Sequence, residues 1–417
     1  MKIAQKNIIP VLPFLMAILG FFSPSTPAIC QNHHINQFIT LDTIIFLQNE
    51  KNTRSMACSS WGDEVILTNF NCNSSSDTIA FHIINTNIYG LETVKIHIPD
   101  IRKTMKKLMN CSFKECLAYN GNTIALMRSL GYDGGENILI FRKNNGENTY
   151  FYHKTIRTKT DARRIDFIDT STVLLSEINY RTGASFHTVD INTGKITNSI
   201  YPYHNHKIIS GFTSKQYDIK DNLLLYANRL EYSFLTFDQN LQQLDSTYQK
   251  IEGWSKLPDK AIKTIERKWG DGYNAAEINH YLTQYYTKIH QLNRVYFINK
   301  NKLLLSYTPK DPEDDIGRPI IDIWEKTNSG WERVKQDIVD DLGFNRSDSI
   351  IKTNSFYLEM PSNPEIFVFD DKIITISQDR GPIYPIGMSS EDYYSKVNEY
   401  LSDNEQITEI RIFRHNF

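Results

Sequence analysis

Arg164–Tyr180 reads RIDFIDTSTVLLSEINY. It parses as a short strand, a polar turn at Asp169-Thr170-Ser171, and a second, more apolar strand. The same shape recurs along the chain. Arg54–Phe70 is RSMACSSWGDEVILTNF, Phe113–Ser129 is FKECLAYNGNTIALMRS, and Gln216–Arg229 is QYDIKDNLLLYANR. Arg294–Thr308 is RVYFINKNKLLLSYT, and Glu365–Asp379 is EIFVFDDKIITISQD. Just before each second strand stands Asp63, Asn122, Ser171, Asp221, Asn301 or Asp371. One variable residue follows, and then an apolar run: EVIL, TIAL, TVLL, NLLL, KLLL, KIIT.

Two further strands follow most of these hairpins. The first gains TIAFHII and ETVKIHI, the second ILIF and YFYHKTI, and the third SFHTVDI and KITNSIY. The fourth gains YSFLTF and QLDSTYQ, and the fifth IIDIWE and WERVKQDI. The sixth gains only TEIRIFRHNF and is one strand short. One strand is spare at the other end of the chain, Leu41–Gln48, LDTIIFLQ. A repeat whose length varies only in certain loops signals a repeat architecture. Four-stranded antiparallel units in series predict an all-β, six-bladed β-propeller. The spare strand closes it by joining the last blade, which protects the terminal edges. A second strand covered on both faces by neighbouring blades explains the continuous apolar runs. A β-sandwich or jelly roll is the competing reading.

Composition agrees. Aromatics make up 12% of 417 residues, with 23 Tyr and 22 Phe, which favours strands. Mean hydropathy is -0.42 and the formal net charge is -2, so neither a membrane-embedded chain nor a bulk nucleic-acid binder is expected. The N-terminus is different. Lys2 and Lys6 precede the apolar run Ile8–Phe22, followed by SPSTPAIC, the order of a secretory signal. Residues 1–30 are read as a signal peptide cleaved near Cys30, and 41–417 as one propeller domain. A lipoprotein acylated at Cys30 is the alternative, disfavoured by Ile29. The chain is thus expected in the periplasm or at the cell surface, touching the membrane only through such a lipid anchor. Cys58, Cys72, Cys111 and Cys116 suit either a local disulfide staple or buried thiols.

In such a blade, the first-to-second and third-to-fourth turns share one face, and all other connections share the opposite face. The surplus length lies in the second set. A helical insertion at 252–292 separates units four and five. TPKDPEDDIGRP lies in the fifth unit, and DRGPIYPIGMSSEDYYSKVNEYLSDNEQ in the sixth. These elaborations either cap a binding site or plug the ring. At the second-strand ends on that face stand Arg128, Arg229 and Arg380, with Arg181 nearby. Tyr132, Tyr180, Trp254 and Tyr384 add aromatic surface. Guanidinium groups grip carboxylates and phosphates bidentately, so these eight residues are the candidate ligand site. Local pairing of each Arg with a neighbouring acid is the alternative.

Catalytic motifs are missing. There is no G-x-S-x-G, H-E-x-x-H or Walker A sequence. Asp311–Asp315 lacks calcium-loop spacing, and His204 and His206 lack a third ligand, so no metal or cofactor is expected. The unit pattern, its turns and its leader resemble secreted six-bladed TolB-like propeller proteins of Gram-negative bacteria, over about Leu41–Phe417. That resemblance implies an envelope binding role toward a protein, peptide or glycan, as a monomer. A hydrolase or lyase with its active site at the channel mouth is the alternative.

Overall fold

A computed structural model describes residues 39–49, 53–71, 78–97, 116–129, 136–144, 149–160, 162–179, 183–202, 217–228, 232–248, 254–255, 257–270, 281, 285, 288–308, 320–339, 365–378 and 406–417. These residues are almost entirely β. The first meander comprises β2 (Thr53–Trp61), β3 (Glu64–Asn71), β4 (Thr78–Asn85) and β5 (Gly90–His97). The second comprises β6 (Leu117–Tyr119), β7 (Thr123–Ser129), β8 (Glu136–Lys143) and β9 (Thr149–Arg157). The third has β10 (Ala162–Phe167), β11 (Thr172–Asn179), β12 (Gly183–Asp190) and β13 (Ile196–Ile200). The fourth has β14 (Tyr217–Lys220), β15 (Leu223–Asn228), β16 (Ser233–Phe237) and β17 (Gln243–Tyr248). The fifth has β18 (Gln291–Asn299), β19 (Lys302–Thr308), β20 (Ile320–Thr327) and β21 (Gly330–Val339). The sixth has β22 (Glu365–Val368), β23 (Lys372–Gln378) and β24 (Gln406–His415), completed by β1 (Ile39–Asn49).

β1 pairs antiparallel with β24, from Ile39 opposite His415 to Asn49 opposite Gln406. The spare N-terminal strand thus completes the short last sheet. Tyr89 and Arg414 both donate to the Asp42 carboxylate, which ties this pair of strands to a turn of the first meander.

The quoted stretch forms β10 and β11, with Ile165 opposite Leu175 and Phe167 opposite Val173. The turn is set locally: the Ser171 N–H donates to Asp169 Oδ1 at 2.7 Å, an Asx turn. The corresponding fourth-meander turn places both Asp221 and Asn222 at positive φ (52° and 62°), as a tight hairpin with a primed turn requires. Val173, Leu174 and Leu175 are all fully buried. Alternate side chains of β11 feed two different cores. Val173 and Leu175 join the core shared with the first two meanders, and Leu174 joins that shared with the fourth. The same division recurs at Leu224 and Leu225, at Leu304 and Leu305, and at Ile373 and Ile374. Each meander packs on its successor, and the sixth packs on the first through Leu47, Ile374, Ile410, Met56 and Leu67.

The first two meanders depart from separate four-stranded units. Their outermost strands β5 and β9 pair in parallel at Lys95–Thr149, Ile96–Tyr150 and His97–Phe151, making one eight-stranded sheet. Edge strands carry unpaired backbone groups, and here two edges satisfy each other. Ile96, Val94, Phe141 and Tyr150 are fully buried in the core that these sheets enclose. Tyr119 of β6 reaches Glu64 of β3 at 2.7 Å, and Tyr150 reaches the Gly121 carbonyl at 2.6 Å.

The insertion between the fourth and fifth meanders carries helix α1 (Asp259–Gly270). Asp259 in its first turn and Arg267 and Lys268 in its last complement the helix dipole. Ala261, Ile262 and Ile265 bury one face together with Leu257. Tyr281 and Tyr285, within the second expected helix, are helical and their hydroxyls lie 3.1 Å apart. The expected leader, the DPEDD loop, the two histidines and most of the last insertion lie outside the described residues. Among the described residues, no helix is long and apolar enough to cross a membrane. Cys58 and Cys116 are buried; Cys72 and Cys111 lie outside the described residues.

Candidate functional site

The first strand of every meander contributes to the wall of one cavity of about 440 Å3. β2 supplies Cys58–Trp61, β6 supplies Leu117, and β10 supplies Arg164–Phe167. β14 is present along its whole length, with Arg294 and Tyr296 from β18 and all of β22. The cavity reaches the turns Gly62 and Asp221-Asn222, which are exposed.

Alternation along these short strands decides what faces what. Residues two apart share a face of a strand, so Arg164 and Asp166 lie together, as do Asp218 and Lys220, and Arg294 and Tyr296. Arg164 grips Asp166 with two bonds, Nε to Oδ2 at 2.8 Å and Nη2 to Oδ1 at 3.1 Å. Its guanidinium lies 4.5 Å over the Tyr217 ring. Tyr217, from the next meander, donates to Asp166 Oδ2 at 2.7 Å and lies 3.2 Å from Ser176 Oγ. Burial raises the Tyr217 phenol well above its usual range, so it stays a donor.

Asp218 and Lys220 continue the linkage around the wall. Asp218 Oδ2 accepts the Phe297 N–H of β18 at 2.7 Å. Burial pushes the Asp218 carboxyl up to about 6, although the Phe297 N–H, Arg164 and Lys220 all pull it down. Lys220 donates to the Ile298 carbonyl and pairs with Asp370 at 3.3 Å, thereby touching the fifth and sixth meanders. Arg294, itself buried, donates to Tyr296 Oη at 3.1 Å. Chemically, the wall offers fixed donors and acceptors, half-buried rings at Trp61, Tyr296 and Phe367, and one carboxyl raised to about 6 by burial. Among the described residues, no group of three His, Cys, Asp or Glu is placed to hold a metal ion.

Of the eight residues expected from sequence, two are described, Arg128 and Trp254, and neither is among those that line this cavity. Arg128 is in β7, opposite Asn137, at the strand end away from the Gly121-Asn122 turn. Trp254 stacks on His290 at 4.8 Å and meets Tyr232 edge-on at 5.5 Å, packed against the core between the fourth and fifth meanders. Tyr132, Tyr180, Arg181, Arg229, Arg380 and Tyr384 lie outside the described residues. Sequence reasoning missed the cavity wall. Its signal was present as charge at every second position of RIDF and YDIK, a pattern that ordinary solvent-facing strands also show.

No protein-family profile matches the chain, and no curated protein is similar to it in sequence. Among solved structures, it is similar to a Bacteroides fragilis protein provisionally described as exported. Identity is 11%, over 91% of this chain and 96% of that one, with a TM-score of 0.48. A second Bacteroides fragilis protein, provisionally described as a 6-phosphogluconolactonase, is 10% identical over 78% and 79%, with a TM-score of 0.36. A luciferin-regenerating enzyme is 6% identical over 88% and 95%, with a TM-score of 0.35. Likenesses at this level assign the chain to no family.

Proposed function

We propose that the chain is an exported six-bladed β-propeller of TolB-like layout that binds a ligand and performs no chemistry on it. The six meanders are its blades, β1 with β24 closes the ring, and the cavity is the central channel. One observation carries the reading: all six first strands meet around a single cavity with a polar wall. A concave, largely preformed pocket with a few convergent polar groups is the usual form of a binding site. The leader at 1–30 supports export. Arg128, Arg181, Arg229 and Arg380, read from sequence at the opposite strand ends, are proposed as a second contact for a protein, peptide or glycan. A glycan and peptide array with the purified protein tests this. Ile219→Trp, which places a larger ring at a half-buried position of the cavity wall, should remove the binding, and R128A/R229A/R380A should weaken it. Full binding by the Ile219→Trp variant rejects the cavity as the site.

A hydrolase or lyase in the same cavity is the second reading, favoured by Asp218. A carboxyl near 6 is poised for general acid or base work. Screening chromogenic esters and glycosides against wild type and D218N decides it: turnover lost in D218N supports an enzyme, and absence of turnover leaves the binding role.

A further inference from the structure

We infer that the cavity takes a neutral, hydroxyl-rich small molecule, a mono- or disaccharide, anchored by Asp218. This rests on the cavity being the binding site. The first argument is charge. Asp166, Asp218 and Glu365 in the wall are matched by Arg164, Lys220 and Arg294, with Asp221 exposed at the rim. Among the lining residues no cationic excess is left to hold an anion, and the one surplus carboxylate, Asp221, stands exposed at the rim rather than inside the cavity.

The second argument is prior commitment. Arg164 is held bidentately by Asp166, Lys220 by the Ile298 carbonyl and Asp370, and Arg294 donates to Tyr296. An ionic ligand would have to break one of these bonds and leave its partner uncompensated, which is costly where groups are desolvated. A hydroxyl group asks for less. It donates to a carboxylate and accepts a spare guanidinium or ammonium proton without displacing any existing pair.

The third argument is Asp218. It lines the cavity half-buried, and among the described residues its bonds are to backbone N–H groups, the Phe297 N–H at 2.7 Å among them. Among the described residues no side chain donates to it. It is therefore a wall carboxylate with acceptor capacity to offer. Half-buried Tyr296 and Phe367 supply apolar surface of the kind on which the C–H face of a sugar ring rests.

The test is calorimetry on the purified protein with glucose, galactose, mannose, xylose, maltose and lactose, against glucuronate and glucosamine. At least one neutral sugar should bind, at least tenfold tighter than either charged sugar. Asp218→Ala should weaken it at least tenfold, and D218N, which keeps one acceptor, about threefold or more. Ile219→Trp should abolish binding, with circular dichroism confirming that each variant is folded. Tighter binding of glucuronate or glucosamine, lost in Ile219→Trp, overturns the ligand class but leaves the cavity reading standing. So does neutral-sugar binding that both Asp218 variants leave unchanged while Ile219→Trp removes it, because Asp218 is then no anchor. No binding by any probe, or binding untouched by Ile219→Trp, overturns both.

Discussion

Tyr232 of the fourth meander donates its phenol proton to Asp322 of the fifth at 2.5 Å, and both side chains are buried. Asp322 also pairs with Arg333 at 3.1 Å, and Trp324 Nε1 donates to Tyr232 Oη at 3.0 Å. Burial and the adjacent carboxylate raise the Tyr232 phenol far above its usual range. Arg333→Met should destabilise the protein by about 3–5 kcal/mol, because it leaves a buried carboxylate without its cation. Tyr232→Phe should cost about 1–3 kcal/mol. Urea unfolding of both single variants and the double variant measures the coupling. Additive losses would show that the two bonds do not act as one network.

Asp218 predicts a slope in stability against pH. Its folded value of about 6 stands above the usual aspartate value of 3.8. The folded state therefore holds the proton more tightly, and this contribution is fully present below about 4 and is lost as pH rises through 6. D218N, which cannot ionise, should be more stable than wild type at pH 7.5 by at most about 3 kcal/mol. The gap should close below pH 4. Denaturant midpoints at four pH values check it, and a gap that widens toward acid contradicts it.

The β1–β24 pair predicts two unequal effects. Leu47 is buried in the core shared by the sixth and first meanders. Leu47→Ala should cost about 2–5 kcal/mol. Arg414→Gln removes the exposed bond to Asp42 and should move the melting temperature far less, by an amount that shrinks with added salt. Calorimetric melting at low and high salt compares them.

The Asp221-Asn222 turn predicts a third contrast. Both residues are left-handed. Asn222→Gly should be tolerated, while Asn222→Val should cost about 1–2 kcal/mol because a β-branched residue crowds its carbonyl there. Equal stability of the two variants would mean that the turn relaxes.

The hairpins were legible because their cause is local and repeated. A strand buried on both faces must be apolar throughout, and TVLL, NLLL and KLLL carry that mark with an Asx or left-handed residue just upstream. The pairing of β1 with β24 was legible by counting, since one strand was missing at one end and spare at the other. The parallel pairing of β5 with β9 was not, because two edges that meet through backbone groups leave no trace in side-chain pattern. The cavity wall was hidden for another reason. Arg164, Asp166, Asp218 and Lys220 alternate with apolar residues as any solvent-facing strand does, and only their convergence makes a site. Trp254 read as an exposed ring, and its partners His290 and Tyr307 are far along the chain.

Pairing residue 39 with residue 415 sets an order for biosynthesis. β1 is made before any other strand described, yet its partner is the last of the described strands to arrive. Until then Ile45 and Leu47 have no sheet to cover them, and the longest-range strand pairing among the described residues closes last, which slows folding. A chain interrupted before Gln406 would display that apolar strand to proteases and chaperones. The β1–β24 pairing can therefore form only in a copy made past Gln406.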